Sequence, residues 1–207
     1  MNQSVEKFIL GPLETCTYLV DGKFLIDPAG VNSELEYKLE GAAGELEAIL
    51  LTHAHADHFA GLNKILQIYP DCPVYCHRTA AEILSDPERN LSAWLGEENS
   101  YDSAIPVSEE SGLPLEEGPE IIHTPGHSPG SVSYYWSEEN RLFCGDVLFS
   151  GGIGRTDLPG GDMGKLKETI EEELFVLPGG TQIYPGHGPE TTVEKEKNHN
   201  PYLNQRD

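Results

Sequence analysis

The chain has 207 residues, 38% of them apolar, with 22 glycines and 15 prolines, which suits one single domain with a sizeable core and many tight turns. Its 35 acidic residues against 13 basic ones give a formal net charge of −22, and such a surface repels phosphate backbones and anionic lipid, so neither nucleic acid nor a membrane surface is an expected partner. No apolar run approaches the roughly 20 residues of a membrane helix, the opening MNQSVEKFILGP is too weakly apolar for a signal peptide, and Cys16, Cys72, Cys76 and Cys144 form no CxxC pair, so a soluble cytoplasmic protein with reduced thiols is expected.

In chain order, FIL and CTYLV read as strands around the turn GPLE, and KFLIDPAG as a third after the Asp21-Gly22 turn. NSELEYKLEGAAG reads as a helix capped by Ser33, with Glu36 completing a capping box and Gly44 as the stop. LEAILLTH is a short apolar run expected as a buried strand. DHFAGLNKILQIYP predicts the clearest helix, because Phe59, Leu62, Ile65, Leu66 and Tyr69 fall on one face before Pro70. PVYCH follows as a strand and RTAAEILSD as a short helix; residues 86–118 read as irregular. EIIHTPG, SVSYYW and RLFCGD are expected strands, SGGIGRTDLPGGD a glycine-rich loop, and MGKLKETIEEELFVL a helix capped by Asp162. TQIYPGH is the last strand and TTVEKEKN a closing helix with a Thr191–Glu194 capping box. Interleaved strands and helices in both halves indicate layered α/β architecture.

The chemistry concentrates in THAHADH. Residues two apart in an extended segment point the same way, so His53 and His55 can converge on one point. Asp57 and His58, where the chain turns into the next helix, can address a second point, and Gly61 permits close approach. His127 in HTPGHSPGS, Asp146 in LFCGDVLF and His187 in IYPGHGP each follow a strand and sit beside a glycine turn. Taken singly, each has a plain reading as a turn histidine or a strand-end aspartate. Together they make a ligand count that closes: His53, His55 and His127 for one cation, Asp57, His58 and His187 for a second, and Asp146 to bridge them. Imidazole and carboxylate without thiolate suit Zn, Fe, Mn or Co. Of the other histidines, His77 and His199 read as exposed, and His123 as a residue that can orient His127 or its loop.

These blocks, THAHADH, HTPGHSPGS, GDVLFSGGIGRTDLPGGD and YPGHG, resemble those of the metallo-β-lactamase superfamily, in particular its short bacterial glyoxalase II (hydroxyacylglutathione hydrolase)-like members. The matching blocks run from about Cys16 to Tyr202. The resemblance implies an α/β fold of the αβ/βα four-layer sandwich type, with two central mixed sheets and helices outside, and one metallohydrolase domain over residues 1–207 without a separate C-terminal helical substrate domain. It implies two divalent metal ions, a small acyl-thiol substrate such as S-lactoylglutathione, and thioester hydrolysis by a metal-bridging hydroxide, with Asp57 orienting the nucleophile or taking its proton. A monomer or small homo-oligomer is expected. Arg155 matches a basic residue that contacts the thiol carrier in glyoxalase II enzymes, whereas Asp157 and Pro189 stand where longer relatives have substrate-contacting tyrosines. The alternative implied by the GRTD stretch is a mononuclear-iron persulfide dioxygenase using His53, His127 and Asp146.

Overall fold

The structure, a computed structural model, describes residues 4–41, 46–96 and 98–203. The chain divides into two compact units, Met1–Pro106 and Val107–Asp207. None of the helices among the described residues is long and apolar enough to cross a membrane.

The first unit carries a mixed sheet in the order β1-β2-β3-β4-β5-β6. Its strands are β1 (Val5–Leu10), β2 (Thr15–Val20), β3 (Phe24–Ile26), β4 (Ala48–Leu50), β5 (Val74–His77) and β6 (Ile105–Val107). The first three pair antiparallel, whereas β3, β4 and β5 run parallel. β4 is continuously apolar and fully buried, as a central parallel strand must be when both faces are covered. Helices α1 (Ser33–Gly41), α2 (Leu62–Ile68) and α3 (Arg78–Leu84) bury Leu35, Leu39, Leu62, Ile65, Ala80 and Leu84 in one apolar cluster with Leu25, Ile49 and Leu51.

Several boundaries differ from the sequence expectations. The cap of α1 is Asn32, whose side-chain oxygen accepts the Leu35 N–H at 2.9 Å, so Ser33 is already the first helical residue. The expected stop at Gly44 lies outside the described residues. The segment DHFAGLNKILQIYP is not one helix: Ala56–His58 form a single 3₁₀ turn, and α2 starts only at Leu62. Gly61 lies between them, with its N–H donated to the Pro28 carbonyl at 2.8 Å and its Cα pressed against Gly30, which breaks the helical ladder there. His77 is buried rather than exposed, because its ring caps α3 by accepting the Thr79 N–H. The stretch expected to be irregular holds a short helix, α4 (Ser92–Leu95), and β6.

The second unit carries a five-stranded sheet in the order β13-β12-β9-β8-β7. The strands are β7 (Glu120–His123), β8 (Val132–Trp136), β9 (Arg141–Gly145), β12 (Gln182–Pro185) and β13 (Thr191–Thr192). β7, β8 and β9 pair antiparallel in turn, and β12 lies parallel to β9. Helix α5 (Met163–Thr169) continues into a π turn over Ile170–Leu174, and Leu166, Ile170 and Leu174 pack under the sheet with Leu142, Cys144 and Ile183. Asp162 caps α5 as expected, accepting the Lys165 N–H at 2.9 Å. A two-stranded hairpin, β10 (Leu148–Phe149) with β11 (Gly152–Ile153), precedes and enters the expected glycine-rich loop. The closing helix α6 (Val193–His199) is capped by Thr192, one residue later than expected.

The four cysteines are free thiols, and burial pushes Cys72 up to about 11 and Cys76 up to about 12. At pH 8 Cys76 should therefore resist a thiolate-specific reagent in the folded protein and react only after denaturation; rapid labelling of native Cys76 would contradict its burial. A methyl group at Gly61 would lie 2.6–2.7 Å from the Gly30 backbone, whereas at Gly41 it would meet nothing within 4 Å. Gly61→Ala should cost about 1–3 kcal/mol in denaturant unfolding. Gly41→Ala should be neutral or stabilising by up to ~1 kcal/mol.

Candidate functional site

In open sheets of parallel strands, functional groups collect where the strands end at their C-terminal edge. Both units follow this rule. In the first, β3 ends at Ile26 and is followed by Asp27, and its parallel neighbour β4 ends at Leu50 and is followed by Thr52, His53 and His55. In the second, parallel β9 and β12 pair Gly145 with Pro185, so Asp146 and His187 emerge next to each other. β7 runs in the same direction as β9, and the chain beyond it carries His127.

The first unit gathers His53, His55, Asp57 and His58. The His53 ring lies 4.7 Å from His55 edge-on and 4.1 Å from His58, centroid to centroid. All three histidines are buried. His55 is extended (φ −73, ψ 140), and the 3₁₀ turn then swings Asp57 and His58 out of the strand direction. The Thr15 hydroxyl donates to Asp57 Oδ2 at 2.8 Å and fixes that carboxylate. His58 Nε2 lies 3.5 Å from the same oxygen.

Behind these residues stands Asp27, buried and in the left-handed region at φ 48, a conformation that aspartate tolerates. Its Oδ1 accepts the Thr52 N–H at 2.8 Å, and its Oδ2 accepts the Thr52 hydroxyl at 2.6 Å and faces His58 Nδ1 at 2.8 Å. A carboxylate can only accept, so His58 Nδ1 carries the proton and its Nε2 holds the lone pair. The single Thr52 hydroxyl proton is committed to Asp27. The Thr52 oxygen therefore accepts from His53 Nδ1, 3.1 Å away, and the His53 lone pair is likewise on Nε2. One buried carboxylate thus selects the tautomer of two histidines. Sequence reasoning singled out neither Asp27 nor Thr52; the available signal was a strand-end aspartate in LIDPAG, the same placement as Asp146.

The second unit gathers His127, Asp146 and His187. His127 Nδ1 donates to the Arg155 carbonyl at 2.8 Å, which again leaves Nε2 as the ligating nitrogen. His127 Nε2 and His187 Nε2 lie 3.8 and 3.6 Å from one and the same oxygen, Asp146 Oδ2. A Cβ added at Gly154 would fall 1.9 Å from the Asp146 carbonyl oxygen and 3.2 Å from the His127 Cβ, so only glycine lets the chain pass here. Next to it, the Arg155 guanidinium is held by Asp157 through two bonds, Nε to Oδ1 at 2.7 Å and an Nη to Oδ2 at 2.8 Å. Both side chains are exposed, and Arg155 holds the Asp157 carboxyl down at about 2. His123 Nε2 approaches the Pro129 carbonyl at 3.1 Å and so ties the loop that follows His127.

Donor chemistry and spacing both suit divalent cations. Two ligand atoms each about 2.1 Å from a shared ion lie roughly 3–3.7 Å apart. The distances of 3.5 and 3.6 Å fall in that range and 3.8 Å just beyond it, and all three are longer than hydrogen bonds. Each unit therefore carries a His/Asp cluster suited to metal binding, with lone pairs pre-aimed by backing hydrogen bonds. The seven ligands expected from the sequence divide between them: His53, His55, Asp57 and His58 in the first, His127, Asp146 and His187 in the second.

Comparison with known proteins finds relatives over most of the chain. The chain is 41% identical over 202 residues to a probable metallo-hydrolase, YqgX, of Bacillus subtilis, covering 94% of this chain and 95% of that one. It is 34% identical over 191 residues to hydroxyacylglutathione hydrolase GloC of Haemophilus influenzae, covering 88% and 87%. Among solved structures, the BLEG-1 B3 metallo-beta-lactamase superposes with a TM-score of 0.88 at 38% identity, covering 97% of this chain and all of that one. A di-iron-bound form of TTHA1623 gives 0.82 at 37%, covering 96% and 100%, and ETHE1 from Myxococcus xanthus gives 0.71 at 26%, covering 96% and 83%. The sequence profile of the metallo-beta-lactamase superfamily matches residues 10–187, and the chain belongs to that superfamily and has its fold.

Proposed function

We propose that this metallo-hydrolase cleaves thioesters, with the two His/Asp clusters together holding a pair of divalent cations. His53, His55 and His127 would hold one ion, Asp57, His58 and His187 the other, and Asp146 both. The observation that carries the proposal is at Asp146: a single oxygen faces Nε2 of both His127 and His187, at 3.8 and 3.6 Å, longer than hydrogen bonds and within or just beyond the spacing of two ligands on one ion. The similarity to GloC supports the choice of an acyl-thiol substrate.

Two such cations would supply Lewis acidity and lower the pKa of water to near neutrality. The protein's own groups do the rest. Asp57, whose carboxylate accepts the Thr15 hydroxyl, would orient the attacking water or take its proton. His53, His58 and His127 are kept in one tautomer by Thr52, Asp27 and the Arg155 carbonyl, so no reorganisation accompanies binding. A thiol leaving group has a pKa of roughly 8.5 and departs as thiolate, which fits the lack of a separate general acid in the sequence motifs. The competing reading, one iron on His53, His127 and Asp146 in a persulfide dioxygenase, gives His187 and Asp57 no metal to hold.

Metal analysis of purified protein beside two assays separates these readings. Two ions per chain with hydrolysis of S-lactoylglutathione is the expected result; one iron with oxygen uptake on glutathione persulfide would overturn it. Because losing a residue that merely backs a ligand costs 10–100-fold, His187→Ala should lower hydrolysis by at least about 100-fold. Full activity in that variant would contradict the two-metal site. The Arg155–Asp157 pair generates a second expectation. A carboxylate-bearing thiol carrier has to compete with Asp157 for the guanidinium, so Asp157→Asn should lower KM for S-lactoylglutathione by up to about fivefold. KM for an uncharged thioester should not change, and an equal drop for both substrates would remove Arg155 from carrier binding.

A further inference from the structure

Glu196, on the short helix α6, is 1% exposed. Its carboxylate takes no part in the proposed chemistry, yet it makes three hydrogen bonds inside the second unit. Oε2 accepts the Gly151 N–H and the Asn200 Nδ2–H, both at 2.9 Å. Oε1 accepts the Thr191 hydroxyl at 2.5 Å. Asn200, fully buried, donates from the same nitrogen to the Gly152 carbonyl at 3.0 Å. At the surface, Lys195 Nζ donates to the Ser150 hydroxyl at 3.0 Å. Thus α6 grips residues 150–152, the tip of the β10–β11 hairpin, through an N–H, a carbonyl and a hydroxyl. It also grips Thr191, in the strand that follows His187.

That hairpin and the residues on either side of it lie against Asp146, His127 and His187. Asp146 leaves the chain at its root, where Val147 and Leu148 are anchored in the apolar core. The returning strand passes through Gly154 against the Asp146 carbonyl and delivers the Arg155 oxygen to His127 Nδ1. The Phe149 ring lies edge-on to the His187 ring, 6.2 Å between centroids. Apolar packing holds Val147, Leu148 and Ile153, whereas the tip between the two strands is held by the hydrogen bonds from Glu196, Asn200 and Lys195, and the chain runs on from it to Arg155. Hydrogen bonds to an ionised carboxylate are shorter and stronger than neutral ones, so a buried Glu196 holds this tip more firmly than an amide or hydroxyl would.

We propose that Glu196 is a positioning residue for the metal site: by tying the hairpin beyond Asp146 to the segment beyond His187, it fixes the mutual placement of Asp146, His127 and His187. This inference rests on the assignment of those three residues as ligands. Glutamine keeps the shape but turns one acceptor into a donor that opposes the Gly151 N–H or the Asn200 amide. Alanine removes all three bonds.

The test is zinc affinity of the apo protein, measured by competition with a chelator at a temperature well below the apo unfolding midpoint. Glu196→Gln should bind zinc about tenfold more weakly and Glu196→Ala more weakly still. Asn200→Ala, which loses the Gly152 link but keeps the Glu196–Gly151 bond, should show a smaller loss of the same sign; it also carries the test if the alanine variant at Glu196 does not fold. In the cobalt-substituted protein, the visible absorption of Glu196→Gln should shift from that of the wild type. A purely structural role would lower the apo unfolding midpoint and leave zinc affinity and the cobalt spectrum unchanged, and that result would overturn the proposal. Asp146→Asn tells this failure apart from failure of the ligand assignment. If Asp146→Asn weakens zinc binding and Glu196→Gln does not, the positioning role alone falls; if Asp146→Asn also binds as wild type, the ligand assignment falls and the inference with it.

Discussion

A neutral imidazole ligates a cation through one nitrogen only, and which nitrogen is free depends on where the ring's proton goes. In this protein the protons of His53 and His58 are both referred to the Asp27 carboxylate, directly from His58 and through the Thr52 hydroxyl from His53. The carboxylate also accepts the Thr52 N–H, so its position is tied to the end of β4 itself. A buried charge with this many donors is stable where an unpartnered one would not be. The consequence is a histidine cluster whose lone pairs are oriented before any ion arrives. In the second unit a backbone carbonyl does the same work for His127.

These arrangements depend in turn on the parallel pairings β3/β4 and β9/β12. Parallel neighbours end at the same edge, so Asp27 can back the residues that follow β4, and Asp146 can stand beside the residues that follow β12. Antiparallel pairing would send the same side chains to opposite ends of the sheet. The antiparallel strands, β1/β2 and β7/β8 among them, extend each sheet, and most of the clustered His and Asp residues follow its parallel part.

The two His/Asp clusters were legible in the sequence because metal chemistry restricts residue type, and strand-end histidines spaced as in THAHADH have few other uses. The buried strands were legible for a similar reason: AIL and LFC are apolar without interruption, and VSYYW is broken only by Ser133. What escaped was whatever depends on a partner distant in sequence. Asp27 gains its meaning from Thr52 and His58, 25 and 31 positions away, and Glu196 from Gly151, 45 positions away. The helix expected over Asp57–Tyr69 has good periodicity, but Gly61 packs on Gly30, and that tertiary contact overrides the local pattern. The β10–β11 hairpin lies in a glycine-rich stretch with too few side chains to betray a period. His77 looked like a surface residue because nothing local reveals that its ring caps the helix that follows it.

Arg155 shows how one local pair can modify a site that is otherwise defined by its ligands. Its backbone oxygen is committed to His127, while its guanidinium is committed to Asp157. The same residue therefore links the His/Asp cluster to an exposed ion pair, and under the proposed function its acidic partner would make that surface less receptive to a carboxylate than a lone arginine. The central proposal, that the seven named side chains hold two ions, is tested most directly by crystals of the metal-loaded protein measured on both sides of the metal's absorption edge. The account predicts two anomalous peaks flanking Asp146, one ligated by His53, His55 and His127 and the other by Asp57, His58 and His187. A single peak that leaves His187 and Asp57 without a metal contact, or no peak at these residues, would contradict it.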